Sequence, residues 1–352
     1  MDKQTRHLPT LDGWRGLAVI GVMLLHGRFF TNSLLQRVST HGGSGVAVFF
    51  AISGFLICHL LLEEHDQTGS IDLARFYLRR CVRIMPAYYV ALVGVTLIAA
   101  LGAIRLDNPQ LMSCLLFYRN YMPLGMDEAS GYYTAHFWSL SVEAHFYLIW
   151  PLIVAFLPRR AGRIAFMLAI GVLIWRSLEP HVMDDARMDG LFWGCLAAIY
   201  FDRLRRWVEG VHFKQLWLPV VAMVVASTRL PLAPVWHVCF ETVLLPALVL
   251  STVLQPTSWL SRALEWKPLV WIGTISYSVY LWQQFFLPPF VPARGFFHFL
   301  QRPPWNVLAI FFMATLSFYL VETPIIRWGH RVTRAPRLIL PGRNQGMFLP
   351  QR

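Results

Sequence analysis

The chain has 352 residues, of which 56% are hydrophobic and 14% charged, and its mean hydropathy is +0.48. A soluble domain carries about 25% charged residues, so a water-soluble globular protein is excluded; apolar runs of bilayer-crossing length, about 20 residues each, recur throughout. The net charge of +12 would suit a nucleic-acid partner, but blocks such as "RRAGR" (159–163) and "RLRR" (203–206) lie between apolar runs and serve as orientation anchors.

Hydropathy predicts an all-α polytopic membrane protein of about ten transmembrane helices, at 11–30, 43–62, 83–102, 136–157, 163–178, 188–201, 214–228, 236–254, 269–290 and 305–325. With both termini placed in the cytoplasm, most Lys and Arg fall on the inner side, as the positive-inside rule expects. The first run has no small-residue cleavage site and reads as an uncleaved span. The apolar stretch 111–122 is too short to cross and reads as a partly buried segment on the outer face. Cys58, Cys81, Cys114, Cys195 and Cys239 have no paired spacing, so neither a disulfide framework nor a zinc motif is expected. No linker or repeat divides the chain. Residues 1–333 read as one membrane domain and 334–352 as a poorly ordered cytoplasmic tail.

The first span, "LDGWRGLAVIGVMLLHG", carries Arg15 and His26. Eleven residues complete three helical turns plus about 20°, so the two share a face about 16 Å apart. An ionisable group inside a membrane is a functional candidate by default, and the matched face favours one site running between them. In the second span, "GGSGVAVFFAISGFLI", small residues suit close helix packing better than chemistry. Ser53 there has no base or acid pattern that would make it a nucleophile.

"FYLRRCVRIMPAYY" places Arg79, Arg80 and Arg83 on neighbouring rows of a helix start, beside Arg15 at the inner surface. They are either membrane anchors or a phosphate clamp, since guanidinium forks grip phosphate bidentately. "AHFWSLSVEAHFYLIWP" puts His136, Ser139 and Glu143 on one face, with Glu143 expected two turns below the outer surface at the depth of His26. A structural ion pair and general acid–base work are both open to that glutamate. Asp189 in "RMDGLFWG" lies at the outer start of the sixth span. Tyr277, Tyr280 and Gln284 in "GTISYSVYLWQQ" make a further polar line, and Glu322 in "YLVETP" reads as a packing residue with a basic neighbour.

Together these motifs, in this order over roughly residues 9–325, resemble the acyltransferase 3 family of integral membrane O-acyltransferases. The resemblance implies ten spans with cytoplasmic termini. It also implies transfer of an acyl group, usually acetyl, from cytoplasmic acyl-coenzyme A to a hydroxyl of an extracytoplasmic or lipid-linked glycan in a bacterial inner membrane. The family's arginine–histidine motif falls on Arg15 and His26, its paired arginines on Arg80 and Arg83, and its Ser-Val-Glu motif on Ser141, Val142 and Glu143. Gln283 stands where some relatives carry a histidine, which weakens the case for a second catalytic histidine there. The extra extracytoplasmic hydrolase-like domain of many relatives is not expected within this length. His26 and Glu143 are thus the catalytic candidates, with His26 as general base or acyl carrier. Arg15, Arg80 and Arg83 are candidates to hold acetyl-coenzyme A, and Ser141, Asp189, Tyr277 and Tyr280 to touch the acceptor. No metal and no nucleic acid are expected; the partners are the acyl donor, the glycan and membrane lipid. A proton-coupled transporter of a small acid or sugar is the main alternative, although it would more often show internal repeats and broken helices. A non-catalytic scaffold would leave the intramembrane charges without a purpose.

Overall fold

The computed structural model describes residues 8–27, 41–122, 128–178, 188–210, 215–229, 240–287 and 293–333. All of these are helix or short connection, and there is no strand among the described residues. Four helices are long and apolar enough to cross a membrane: Ser44–Thr68, Leu73–Ala100, Gly131–Phe156 and Trp305–Val332. The C-terminal tail expected from 334 lies outside the described residues.

Helix α1 (Pro9–Gly27) is tied to the bundle at its start. The Thr10 hydroxyl donates to Glu265 at 2.9 Å, and the Trp14 indole donates to the Thr252 hydroxyl at 2.9 Å. Helix α2 (Ser44–Thr68) stops at Gly69, whose φ of +77° is open to glycine and lets its N–H return to the His65 carbonyl. Helix α3 runs Leu73–Ala100 because Asp72 caps it, its carboxylate accepting from Arg75 N at 2.9 Å. The start is therefore ten residues earlier than the span expected from 83. Arg79, Arg80 and Arg83 sit inside the helix and not at its first turn.

The short apolar stretch becomes α4 (Asn108–Leu115), followed by a tight turn at Arg119–Tyr121. Helices α5 (Glu128–Ala135) and α6 (Phe137–Phe156) follow, with the membrane-length segment starting at Gly131. Next come α7 (Ala161–Leu178), α8 (Asp189–Ile199), α9 (Phe201–Glu209) and α10 (Trp217–Arg229). After α11 (Leu245–Leu254) and α12 (Trp259–Leu264), the predicted span 269–290 divides into α13 (Lys267–Thr274) and α14 (Ser276–Phe286), which meet at Ile275. The chain closes with α15 (Gly295–Leu300), α16 (Trp305–Ser317) and α17 (Thr323–Val332).

The most extensive helix contacts are α2 on α8 and α1 on α13. Both depend on glycine, because small residues let membrane helices approach closely. A Cβ on Gly54 would lie 2.0 Å from the Leu191 carbonyl oxygen, and one on Gly194 2.3 Å from that of Ala51. Across the other pair, a Cβ on Gly273 would lie 1.8 Å from the Asp12 oxygen. These contacts fix where α1 stands, and so where its polar face points.

Gly54→Ala and Gly194→Ala should each lower thermal stability by about 1–3 kcal/mol, the cost of overpacking. Gly171→Ala is the control, since nothing lies within 4 Å of its Cβ position. Unfolding of purified protein in detergent measures both. Equal stability in all three variants would mean that the α2–α8 contact is looser than described.

Candidate functional site

Polar groups from α1, α2, α3, α6 and α14 gather along the inside of the bundle in two clusters. The first is built on arginine. Arg15 donates to the Asp12 carboxylate at 3.0 Å and lies within electrostatic reach of Arg83 and Tyr147. Arg80 interacts with Arg15, Arg79, Arg83 and Tyr147, and its guanidinium stands 5.5 Å from the Phe76 ring centre and 6.0 Å from that of Tyr147. Glu143 completes the group. It accepts from the Tyr147 hydroxyl at 2.9 Å, adjoins Ser53, and faces both Arg15 and Arg80.

Tyr277 borders the same cluster, with Glu143, Tyr147 and Glu322 around it, and its hydroxyl donates to the Ile84 carbonyl at 2.9 Å. Glu322 accepts from the Ser278 hydroxyl and faces Arg83. Arg15, Arg80, Glu143, Tyr147 and Tyr277 are all half-buried and Arg83 is exposed, so the cluster borders accessible space. Three cations so close together repel one another, and fork-shaped donors that face space suit a ligand with several phosphates.

The second cluster lies about three turns along α1. His26 is half-buried, and its Nδ1 is 2.9 Å from the Val22 carbonyl oxygen. A carbonyl can only accept, so Nδ1 carries the proton and the Nε2 lone pair is left to accept another. A general base needs that tautomer. His136 is within electrostatic reach of both His26 and Arg119. Its Nε2 donates to the Leu281 carbonyl at 3.1 Å. The Tyr280 hydroxyl donates to the His136 carbonyl at 3.1 Å and pairs with Ser139 at 2.7 Å.

The structure thus brings Arg15, Arg80, Arg83, Glu143 and Tyr277 together at one end, and His26 and Tyr280 at the other. It does not place Glu143 at the level of His26. The continuous helix begins at Gly131, five residues before the expected span, so His136 is already inside the bundle and Glu143 lies about 10 Å further along. Ser141 is buried; its hydroxyl donates to the Phe137 carbonyl at 3.1 Å and accepts from Arg119 N at 3.3 Å, so it anchors the 119–121 turn. Asp189 is also occupied. Its carboxylate receives Arg176 at 2.5 Å and Gly190 N at 3.1 Å, deep in the protein.

Two residues escaped the sequence reading. Tyr147 lies four positions after Glu143, and that helical spacing is the signal that would have found it. Arg119 is only 2% exposed, and its Nε and Nη2 have no hydrogen-bond partner among the described residues. An arginine inside a short apolar stretch was its one visible sign.

A helical bundle with four membrane-length helices, wrapped around an arginine–carboxylate cluster and a tautomer-locked histidine, defines an integral membrane protein with a buried polar site. The chain belongs to the acyltransferase domain family, whose model matches residues 8–323. It is 28% identical to the peptidoglycan O-acetyltransferase OatA of Listeria monocytogenes, over 92% of this chain and 56% of that protein. It is 25% identical to the putative peptidoglycan O-acetyltransferase YrhL of Bacillus subtilis, over 93% and 56%. A putative O-acetyltransferase of Staphylococcus aureus is 28% identical over 93% and 58%. The chain therefore spans a little over half the length of these relatives. No solved structure matches it.

Because Arg176 and Asp189 are 12% and 4% exposed at their side chains, removing one leaves the other charge buried alone. Asp189→Asn should cost about 3–5 kcal/mol of stability. Thermal unfolding compared with wild type checks this. An unchanged melting temperature would return Asp189 to the list of groups free to touch a substrate.

Proposed function

We propose that the protein transfers an acetyl group from acetyl-coenzyme A to a hydroxyl of a glycan. The observation that carries the reading is the pairing, on one face of α1, of an arginine cluster with a histidine whose Nδ1–H is held by the Val22 carbonyl, leaving Nε2 as the basic nitrogen. The arginine cluster suits the phosphates of coenzyme A, with Arg80 and Arg83 from α3 and Arg15 from α1 as the grips. Glu143 and Tyr147 then hold Arg15 and Arg80 in place and temper their mutual repulsion. The extended pantetheine arm follows α1, which rises about 16 Å from Arg15 to His26, and brings the thioester beside the imidazole.

In the reaction the glycan hydroxyl oxygen attacks the thioester carbonyl carbon while His26 Nε2 takes the hydroxyl proton. The tetrahedral intermediate collapses with cleavage of the carbon–sulfur bond, and the proton returns to the coenzyme A thiolate. The products are an O-acetyl ester and free coenzyme A. The alternative order, in which His26 is acetylated first and then gives up the group, uses the same residues. Tyr280 and Ser139, beside His136, line the acceptor's side of the site.

Ten spans with both termini in the cytoplasm fit the distribution of Lys and Arg. They put the arginine cluster at the inner surface, where the donor is made, and His26 towards the outer one. The relatives are bacterial, and two are named for peptidoglycan. That setting supports a bacterial cytoplasmic membrane and an extracytoplasmic or lipid-linked glycan acceptor as part of this reading.

Purified protein incubated with radiolabelled acetyl-coenzyme A and glycan acceptors, peptidoglycan fragments first, tests the reading. Labelled O-acetyl glycan should form, and His26→Ala should lower turnover by about 10²–10⁴-fold, the usual worth of a general base. Near-wild-type turnover in a folded His26→Ala variant would remove that histidine from the mechanism. Uptake of a solute without any acetyl product would favour a transporter.

A further inference from the structure

The end of the bundle that holds the arginine cluster carries a separate feature. Helix α6 passes from the His136 level, past Glu143 and Tyr147, to Phe156, so the turn that follows lies at the arginine end. There, the start of α7 and the end of α8 enclose a groove of about 560 Å³. Its sides are apolar, formed by Phe166 and Met167 of α7 and by Leu196 of α8. Its polar lining comes from the helix ends, Arg160 and Arg163 around the start of α7 and Tyr200 just past the end of α8.

Both arginines are exposed and neither makes an ion pair among the described residues. The first turn of α7 contains no acidic residue that would occupy its N–H groups. Gly162 keeps this turn open: a Cβ there would lie 3.1 Å from the Tyr200 hydroxyl, which has no hydrogen-bond partner among the described residues. Two guanidinium groups, a hydroxyl and a helix start therefore converge above an apolar trough. Charge at the helix ends calls for an anion, and the apolar lining calls for a hydrocarbon chain. Basic pockets between membrane helices on the inner face take anionic lipid headgroups in this way.

We propose that this groove binds one anionic phospholipid. Its phosphate sits between Arg160, Arg163 and the first turn of α7, and one acyl chain lies along Phe166, Met167 and Leu196. The site is separate from the residues assigned to acyl transfer, and its test needs no catalysis.

The full chain, purified in a mild detergent, is mixed with equal amounts of phosphatidylglycerol and phosphatidylcholine and examined by native mass spectrometry. One phosphatidylglycerol should be retained with a preference of about 30-fold, given the worth of each basic residue near an anionic lipid. Arg160→Gln with Arg163→Gln should abolish that preference, whereas Arg159→Gln, outside the groove lining, should leave it intact. Should the double variant fail to fold, Met167→Trp fills the trough without altering charge and should also expel the lipid. Equal retention of the two lipids, or an unchanged preference in the variants, would overturn the assignment. So would displacement of the lipid by millimolar inorganic phosphate alone, which marks a free-anion site, or a groove-dependent dimer, which marks a protein contact.

Discussion

Everything in this bundle has to accommodate the mutual repulsion of Arg15, Arg80 and Arg83. Like charges this close cannot attract their own helices together. The positions of α1 and α3 must therefore be imposed from outside the cluster. Glycine does much of this for α1, since the backbone of Gly273 touches that of Asp12 and brings the helix against α13. Thr10 and Trp14 pin the same helix to Glu265 and Thr252. The carboxylates of Asp12, Glu143 and Glu322 then offset the charge without removing it. A polyanionic ligand entering such a site gains from a field already in place and from donors already oriented, so little is lost to reorganisation.

The same rigidity connects the two ends of the site. Helix α1 carries Arg15 and His26, and the membrane-length segment Gly131–Phe156 carries His136 and Glu143, so the two clusters are joined by two rods of fixed rise. Among the described residues, neither histidine takes its orientation from a carboxylate. His26 is held by the Val22 carbonyl and His136 by the Leu281 carbonyl. Backbone acceptors fix the tautomer without adding a second charge to the apolar part of the bundle. Glu143 is consequently available to the arginines, where it sits with Tyr147.

Much of this was legible in the sequence because helices carry a strict period. Arg15 and His26 could be put on one face by counting, and the apolar runs expected at 43–62, 83–102 and 305–325 overlap the membrane-length helices 44–68, 73–100 and 305–332. Depth was less legible. The third of the four membrane-length helices starts at Gly131, in a polar and aromatic stretch that hydropathy assigns to a loop, and those five residues carry Glu143 from the histidine level to the arginine level. The breaks at Tyr200 and Ile275 were hidden because the apolar runs continue across them. Asp189 looked free to bind a sugar because its partner, Arg176, lies thirteen residues away on another helix, and no periodicity links the two.

The central claim is that one donor molecule bridges the two clusters, its phosphates at the arginines and its thioester at His26. The most direct measurement compares kcat/KM for acetyl-coenzyme A with that for acetyl-pantetheine, which has the arm and thioester but no phosphates, in wild type and in Arg80→Gln with Arg83→Gln. In wild type the shortened donor should be poorer by at least about 100-fold, two charge-assisted contacts at 1.5–3 kcal/mol each. In the arginine variant the gap between the two donors should narrow sharply, because two of the three grips are gone and only Arg15 is left to tell them apart. A variant that still discriminates as strongly as wild type would place the phosphates elsewhere and contradict the account.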